Sequence, residues 1–171
     1  MKLFELTNPN NYKIYVDLDG VLANFMKKVR ELADIDLDKA DSKTTSEFFK
    51  LLDKQAREGK KFFENMELMP DAMELWKHIK KYDPIILSST GHTLGAAEEK
   101  RAWVKKYLGY EAAKRALFVR QSKEKSKYAN SHSILIDDRS KSIDPWVAAG
   151  GIGILHVDAS KTIKALKKLS I

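Results

Sequence analysis

Apolar residues occur along this chain in short runs that polar segments separate. Runs of this length, rich in β-branched residues, are typical of strands in a parallel sheet that is covered on both faces. The pattern predicts strands at Ile14–Val16, Ile85–Leu87, Ile134–Ile136 and Ile152–Leu155. Leu117–Val119 is a weaker candidate for a fifth strand.

Segments with helical periodicity lie between these runs. Apolar residues three and four positions apart predict a helix that begins with Asp71 as its cap, a second helix over Ala96–Leu108 and a last one over Ser160–Leu169. Strand and helix therefore alternate over most of the chain. This alternation predicts an α/β fold with a central parallel sheet and helices on both faces.

One long stretch interrupts the alternation. The residues between the first two strands show helical patterns over Asn24–Leu32 and Thr45–Glu58, but no convincing strand. Because a plain crossover between parallel strands needs far fewer residues, part of this stretch is predicted to be a helical insertion. The insertion would leave the sheet just after Gly20, where a lid could exclude water from a site.

Composition narrows the class of protein. The chain has 171 residues, 43% of them hydrophobic, which suits one compact domain with a small insertion. Disulfides and thiolate metal sites are excluded, because the sequence contains no cysteine. No apolar run reaches the ~18 residues of a membrane helix, and Met1–Glu5 lacks the apolar core of a secretory signal. We therefore expect a cytoplasmic protein that does not associate with membranes.

The net charge indicates an anionic partner without identifying it. The formal charge is +7 and the pI is about 9.4. A positive surface attracts anions, among them nucleotides and nucleic acids. Scattered lysines on helical stretches are equally typical of an ordinary solvated surface. The sequence leaves the oligomeric state open.

A pair of carboxylates follows the first predicted strand. Asp17 and Asp19 are separated by one residue and followed by Gly20. Because strand side chains alternate in direction, both acids would lie on the same side, at the carboxyl end of the strand. Ligands bind at that edge of open α/β sheets. Two close carboxylates repel each other unless a cation or a shared proton compensates them, so the pair indicates a metal site.

A second acid pair follows another predicted strand. Asp137 and Asp138 come directly after Ile134–Ile136, and in a parallel sheet they would meet the first pair at one edge. Mg²⁺ prefers octahedral oxygen ligands, and Asp17, a backbone carbonyl at Asp19 and Asp137 would supply part of such a shell. Taken alone, Asp137 and Asp138 could equally form a polar turn with the next residue, an arginine.

Other polar residues could bind the oxygens of an anion. Ser88 and Ser89 end the second strand, where hydroxyls and free backbone N–H groups can hold phosphate, although such residues are also common in turns. Lys100 lies near the start of the following helix, a position at which lysine is usually solvated. Further possible anion contacts before the fourth strand are Lys123, Lys125 and Lys127.

These residues occur in a characteristic order. The series Asp17-x-Asp19, strand-Ser88, Lys100 and strand-Asp137-Asp138 resembles the four-part signature of haloacid dehalogenase (HAD) superfamily phosphatases. Four longer segments resemble the 5'(3')-deoxyribonucleotidases within that superfamily. They are Asp17–Phe25, Phe62-Phe63-Glu64 before Met69-Pro70, Lys100–Val104 and Leu135–Arg139.

The resemblance implies a fold and an activity. The fold would be a Rossmann-like three-layer core over residues 1–24 and 70–171, with a small helical cap over residues 25–69 inserted after the first strand. The activity would be that of a magnesium-dependent phosphomonoesterase that dephosphorylates nucleoside 5'- or 3'-monophosphates through an aspartyl-phosphate. The partner would be a small phosphorylated substrate.

The resemblance also implies roles for individual residues. Asp17 would be the nucleophile, and Asp19 would protonate the leaving alkoxide and then activate water. Asp138 would support the metal through water. The other implied roles are phosphate binding by Ser88, Ser89 and Lys100, Mg²⁺ binding by Asp17, Asp19 and Asp137, and substrate binding by Phe25 and Phe62.

Departures from the family pattern leave the substrate open. Ser88 stands where these nucleotidases commonly have threonine, and the loop over residues 90–95 lacks their proline and contains His92, which we expect to face solvent. Phe25 and Phe62 could also be core residues beneath the cap. Two alternatives remain: a phosphatase of DNA or RNA ends or of another small metabolite, and a non-enzymatic nucleotide-binding protein.

Overall fold

A computed structural model describes residues 11–171 and contains a five-stranded parallel sheet. The sheet order is β3-β2-β1-β4-β5, and each neighbouring pair is parallel. All of the predicted strands are therefore confirmed. The strands are β1 (Lys13–Val16), β2 (Ile85–Ser89), β3 (Leu117–Val119), β4 (Ser133–Asp137) and β5 (Ile152–Leu155).

Helices connect the strands and cover the sheet. Short 3₁₀ helices span Lys80–Tyr82 and Ser122–Tyr128. The α-helices are α1 (Phe25–Ala33), α2 (Ser42–Arg57), α3 (Ala72–Ile79), α4 (Ala96–Leu108), α5 (Tyr110–Arg115), α6 (Ser140–Ala148) and α7 (Ala159–Lys168).

The alternation of side chains along the strands produces two apolar layers. On one face, Ile14 and Val16 of β1 pack with buried residues of α3, α4 and α7. On the other face, Tyr15 packs with Trp146 of α6. Burial on both faces is the property of parallel sheets that makes their strands continuous apolar runs. The predicted α/β architecture with helices on both faces is therefore confirmed.

Three features differ from the sequence-based expectations. Helix α5 and the 3₁₀ helix over Ser122–Tyr128 are short and polar, so they carry no clear apolar period. Asp71 precedes α3 but does not cap it through its side chain. Its carboxylate instead accepts a hydrogen bond of 2.6 Å from the backbone N–H of Ala159, at the start of α7. The acid therefore joins two helices that are distant in sequence.

The helices α1 and α2 lie in the segment between β1 and α3, as the insertion hypothesis expects. The two ends of this segment meet, because Asn24 N–H donates to Glu67 O and Met69 N–H donates to Leu22 O, both at 2.8 Å. The segment is tied to the core by apolar residues such as Phe48 that join the main cluster. Its description as a cap over residues 25–69 stays a prediction.

The N-terminal residues Met1–Glu5, in which the sequence shows no secretory signal, lie outside the described residues. Within residues 11–171, no helix combines the length and the apolar character needed to cross a membrane.

Candidate active site

A tight turn after β1 positions the first acid pair. Gly20 N–H donates to Ala23 O at 2.9 Å and Ala23 N–H donates to Leu18 O at 2.8 Å. Gly20 has a φ of 80°, and a Cβ at this position would lie 2.3 Å from Asp138 Oδ2. Only glycine accommodates both the left-handed backbone and this close approach. The turn therefore brings the loop that carries Asp19 directly against the second acid pair.

Three carboxylates converge at the carboxyl ends of β1 and β4. These strands pair in register, with Val16 opposite Ile136, so the residues that follow them lie side by side. One carboxylate oxygen from each of Asp17, Asp137 and Asp138 lies within 4.8 Å of the others. The sequence predicted this convergence, and it occurs where the strand order reverses, which is the usual ligand site of open α/β sheets.

Crowding and burial change the proton affinity of these acids. Burial raises the pKa of Asp137 to about 6 and that of Asp138 to about 7, and the nearby Asp17 carboxylate contributes to both shifts. Oδ1 of Asp138 is buried without a hydrogen-bond partner among the described residues. Clustered carboxylate oxygens are ligands that suit a hard divalent cation. Asp17, Asp137 and Asp138 therefore form a candidate divalent-metal site.

Lys125 lies inside this acid cluster. Its side chain is 1% exposed, and its Nζ is 2.6 Å from Asp137 Oδ2 and 2.9 Å from Asp17 Oδ1. Burial alone would lower the pKa of Lys125, but the two carboxylates outweigh this effect and raise it. The lysine therefore stays charged and offsets part of the repulsion between the acids.

Lys100 provides a second buried cation, in contact with Asp19. Its Nζ donates to Asp19 Oδ2 at 2.6 Å, to Ser89 O at 2.6 Å and to Ser88 Oγ at 3.2 Å. Lysine in the first turns of a helix is usually solvated, but here the helix α4 points it into the site, where it is 1% exposed. The predicted residues Asp19, Ser88 and Lys100 are thus brought together.

Asp19 has a different environment from the metal cluster. Its carboxylate contacts Lys100 rather than Asp137 or Asp138. Burial raises the pKa of Asp19 and the charge of Asp17 adds to this, although Lys100 acts in the opposite direction. A raised pKa favours the protonated form, which a general acid needs. Its predicted contribution to metal binding, through the backbone carbonyl, stays a prediction.

A pocket of about 330 Å³ opens from these acids. One wall is apolar and contains Phe25, Met26, Phe49 and Phe63. The other side carries polar and cationic residues, among them Ser89, Thr90, Arg120, Arg139 and Lys141.

Of the two residues predicted to bind substrate, one lines this pocket and the other lies behind its wall. Phe25 lines the pocket, whereas Phe62 is not among the lining residues and packs against Phe25 at a ring-centroid distance of 5.8 Å. The neighbouring Phe63 lines the pocket instead. His92, as expected, is exposed, and its Nδ1 accepts a hydrogen bond of 2.9 Å from Arg120 Nε.

Sequence reasoning missed the position of Lys125 and the contribution of Phe63. Lys125 was only one of three lysines before β4, and the other two, Lys123 and Lys127, are exposed. The polar segment around it carries no apolar period that would reveal which lysine points inward. Phe63 is adjacent to another phenylalanine of equal apolarity, so composition cannot separate the two.

The arrangement has the parts that phosphoryl transfer requires. Two carboxylates, one of them with a raised pKa, lie at one end of a pocket beside buried cations and a candidate metal site. Phosphoryl transfer depends mainly on positioning and on neutralising the phosphate oxygens. Aspartate serves as nucleophile in enzymes that form an aspartyl-phosphate.

Solved structures with similar folds include HAD hydrolases. A HAD-superfamily hydrolase from Ehrlichia chaffeensis matches 92% of this chain and 96% of its own, with a TM-score of 0.53 and 14% identity. A HAD family hydrolase from Deinococcus radiodurans R1, solved with bound phosphate and sodium, matches with a TM-score of 0.52 and 14% identity over 92% and 87% of the two chains. These likenesses establish the HAD-like Rossmann-type fold.

Sequence comparisons narrow the family. A protein of Vibrio phage KVP40 named "Putative 5'(3')-deoxyribonucleotidase" is 28% identical over 135 residues, which are 75% of this chain and 66% of the phage protein, just under two thirds of its length. The family model of the 5' nucleotidase, deoxy (pyrimidine), cytosolic type C proteins matches residues 11–165. The match includes every residue of the candidate site described above. The chain therefore belongs to the 5' nucleotidase, deoxy (pyrimidine), cytosolic type C family.

Proposed function

We propose that this protein is a magnesium-dependent phosphomonoesterase that dephosphorylates nucleoside 5'- or 3'-monophosphates. One observation carries the proposal: Asp17 and Asp19 line one pocket, where Lys100 contacts Asp19 at 2.6 Å and oxygens of Asp137 and Asp138 lie within 4.8 Å of one of Asp17. Family membership supports hydrolysis of a nucleotide phosphate ester. The cytoplasmic location expected from the sequence stays a prediction.

In the first step, an oxygen of Asp17 attacks phosphorus. The P–O bond to the nucleoside breaks, and the departing alkoxide takes the proton of Asp19, so an aspartyl-phosphate and a free nucleoside hydroxyl result. The raised pKa of Asp19 supports its protonation at the start of this step. General acid assistance of this kind is typically worth ~10² to 10⁴-fold.

In the second step, Asp19 acts as a base. It accepts a proton from a water molecule, whose oxygen attacks phosphorus and breaks the P–O bond to Asp17. Inorganic phosphate leaves, and both side chains return to their starting state. Splitting one displacement into two in this way is the purpose of a covalent intermediate.

The cations of the site balance the charge of the transferred group. Lys100 can donate to a phosphate oxygen while Ser88 and Ser89 contribute hydroxyls, and Lys125 keeps Asp17 from being repelled by Asp137. Asp17 and Asp137 would hold Mg²⁺, with Asp138 in support, and the ion would neutralise phosphate oxygens. The Oδ1 atom of Asp138, buried without a partner among the described residues, supports this assignment.

The apolar wall supports a substrate with a ring system. A phosphate bound at Asp17 would direct the rest of the substrate along Phe25 and Phe63, which line the same pocket. Phe62, the other predicted contact, would act from behind by supporting the ring of Phe25. Aromatic side chains bind nucleobases by stacking, typically with ~1–3 kcal/mol per base.

A phosphate-release screen tests the proposal. Purified protein would be incubated with ribo- and deoxynucleoside 5'- and 3'-monophosphates, sugar phosphates and p-nitrophenyl phosphate, each with Mg²⁺ and after chelation. We expect release from nucleotides that disappears on chelation and returns with Mg²⁺. Failure to release phosphate from any of these compounds would overturn the phosphatase assignment.

A second candidate substrate is the terminal phosphate of DNA or RNA. It is favoured by Arg120 and Lys141, which line the same pocket, and by the net charge of +7. Phosphorylated oligonucleotides added to the screen at several salt concentrations separate the two. Faster turnover of oligonucleotide ends, with binding that weakens steeply with salt, would favour nucleic acid. Equal or faster turnover of mononucleotides would favour the first proposal.

A further inference from the structure

Helix α4 touches both the reaction centre and the segment that carries the aromatic wall. Lys100 points from this helix to Asp19 and Ser88. The preceding residue, Glu99, points to the backbone of residues 62–66, which we name the aromatic strap. One turn later, Trp103 donates a hydrogen bond of 2.8 Å from Nε1 to Met66 O, at the other end of the strap.

Glu99 holds the strap through its main chain. Its Oε2 accepts a hydrogen bond of 2.8 Å from Phe63 N–H and lies 3.5 Å from Glu64 N. The residue is 4% exposed, and it forms no ion pair in the described part of the chain. A buried carboxylate without a cation is costly in free energy unless hydrogen bonds compensate it. The backbone N–H of Phe63 supplies that compensation.

The held residue is the one that faces the pocket. Phe63 lies between the backbone hydrogen bond to Glu99 and the side chain of Lys100, whose Nζ is 4.9 Å from the ring centroid. Consecutive residues of one helix therefore contact the main chain and the ring of the same phenylalanine. A shift of the strap would move this ring away from Lys100 and so change the wall of the pocket, of which the ring is a part.

We propose that Glu99 is a positioning residue for substrate selection. By holding Phe63 N–H, it sets the ring of Phe63 beside Lys100 and so favours phosphate esters of ring-bearing alcohols, such as nucleosides, over small acyclic phosphate esters. This inference rests on the proposed function, because it assumes that Asp17 and Lys100 act on phosphate monoesters. It goes beyond that function by naming the residue that couples the wall to the reaction centre.

A purely structural role makes a different prediction. If Glu99 only stabilised the fold, its removal would lower the unfolding temperature and reduce turnover of all substrates in parallel. A positioning role changes the ratio between substrates. The ratio of kcat/KM for a deoxynucleoside monophosphate to kcat/KM for glycerol 2-phosphate therefore separates the two.

The experiment compares the wild type with four variants. Glu99→Ala removes the acceptor, Glu99→Asp withdraws it by one methylene, and Glu99→Gln keeps an acceptor oxygen of the same reach. Glu98→Ala, at the exposed neighbouring position, is the matched control. For Glu99→Ala and Glu99→Asp we expect the ratio to fall about 10-fold, mainly through KM for the nucleotide, as for loss of one buried hydrogen bond. Glu99→Gln should restore most of the ratio, and Glu98→Ala should leave it unchanged.

Amide hydrogen exchange gives a readout that needs no substrate. Protection of the peptide containing Phe63 and Glu64 should drop in Glu99→Ala and Glu99→Asp, but not in Glu98→Ala. An unchanged substrate ratio in both acceptor variants, or unchanged protection, would overturn the inference. A wild type that hydrolyses glycerol 2-phosphate but no nucleotide would instead overturn the proposed substrate, and the wild-type measurement alone reveals this.

Discussion

The two ends of the pocket are built in different ways. The acid end consists of residues at the ends of β1, β2 and β4, together with two lysines that make contacts of 2.6 to 3.2 Å. The aromatic end belongs to the segment between β1 and α3, where the rings of Phe25, Phe62 and Phe63 lie 5.1 to 6.4 Å apart. Charged contacts depend steeply on distance and direction, whereas ring packing tolerates small shifts.

This difference separates the two tasks of an enzyme. A reaction that depends on charge requires charged groups at fixed positions, and at the acid end the strands of the sheet hold them there. Substrate choice requires a surface that can be altered without moving those charges, and the aromatic end provides it. We therefore expect substitutions at the acid end to change kcat, and substitutions at the aromatic end to change KM for nucleotides.

Replacement of Asp17, the proposed nucleophile, should have the largest effect. Asp17→Asn keeps the size of the side chain but removes the attacking carboxylate, and we expect turnover to fall on the order of 10⁴-fold or more. Phosphate release under saturating nucleotide measures this. Nucleotide affinity, measured by calorimetry, should change far less, and residual activity within tenfold of the wild type would contradict the role of Asp17.

Removal of the cation in the acid cluster should have the next largest effect. Lys125→Met leaves Asp17 and Asp137 buried without their shared partner, which is strongly destabilising unless another cation replaces it. We expect kcat to fall about 10²-fold, as for loss of one preorganised charge. We also expect the melting temperature to rise more with added Mg²⁺ than in the wild type.

The matched control for this variant is Lys127→Met, which replaces an exposed lysine of the same 3₁₀ helix. It should leave both the rate and the response to Mg²⁺ unchanged. Equal responses of the two variants would show that the burial of Lys125 between the acids affects neither the rate nor the response to Mg²⁺.

A substitution in the aromatic wall should have a smaller and more selective effect. Phe63→Ala removes a ring that lines the pocket, and we expect KM for nucleotides to rise about 10-fold with kcat reduced less than about threefold. Steady-state kinetics with a nucleotide and with glycerol 2-phosphate measure the difference. A parallel loss for both substrates would indicate that the two ends of the pocket are not separable.

The smallest effect is expected at the surface between the two regions. Arg139 Nη2 lies 2.9 Å from Asp38 Oδ1, and both side chains are about half exposed. Exposed pairs of this kind contribute little to stability and are screened by salt. Asp38→Asn should therefore change kcat/KM by about twofold or less, with any difference disappearing at high salt. A large effect would mean that this ion pair controls access to the pocket.

The sequence was most informative where chemistry follows an apolar run. Asp17 and Asp137 could be assigned to one edge because each follows a buried apolar run. The carboxyl ends of parallel strands lie at the same edge of a sheet, so the two acids meet there. Lys125 could not be assigned in this way. Its burial depends on where a polar 3₁₀ helix lies against the sheet edge, which is a property of the packed molecule.

The aromatic wall illustrates a second limit of sequence reasoning. Phe62 and Phe63 are adjacent and chemically identical, so no periodic pattern distinguishes them. Their different positions are associated with the hydrogen bond that Glu99 accepts from Phe63 N–H, between residues far apart in the chain. Side-chain orientation in an irregular segment is thus decided by a distant partner rather than by local preference.

The short antiparallel stem at residues 22–24 and 67–69 has a consequence for how this protein could diversify. Because the stem already brings both ends of the intervening segment together, a longer or entirely different segment would add little loop-closure entropy. The acids on the sheet would keep their places during such an exchange. A graft of a foreign segment at this stem could therefore redirect the same hydrolytic machinery to a new family of phosphate esters.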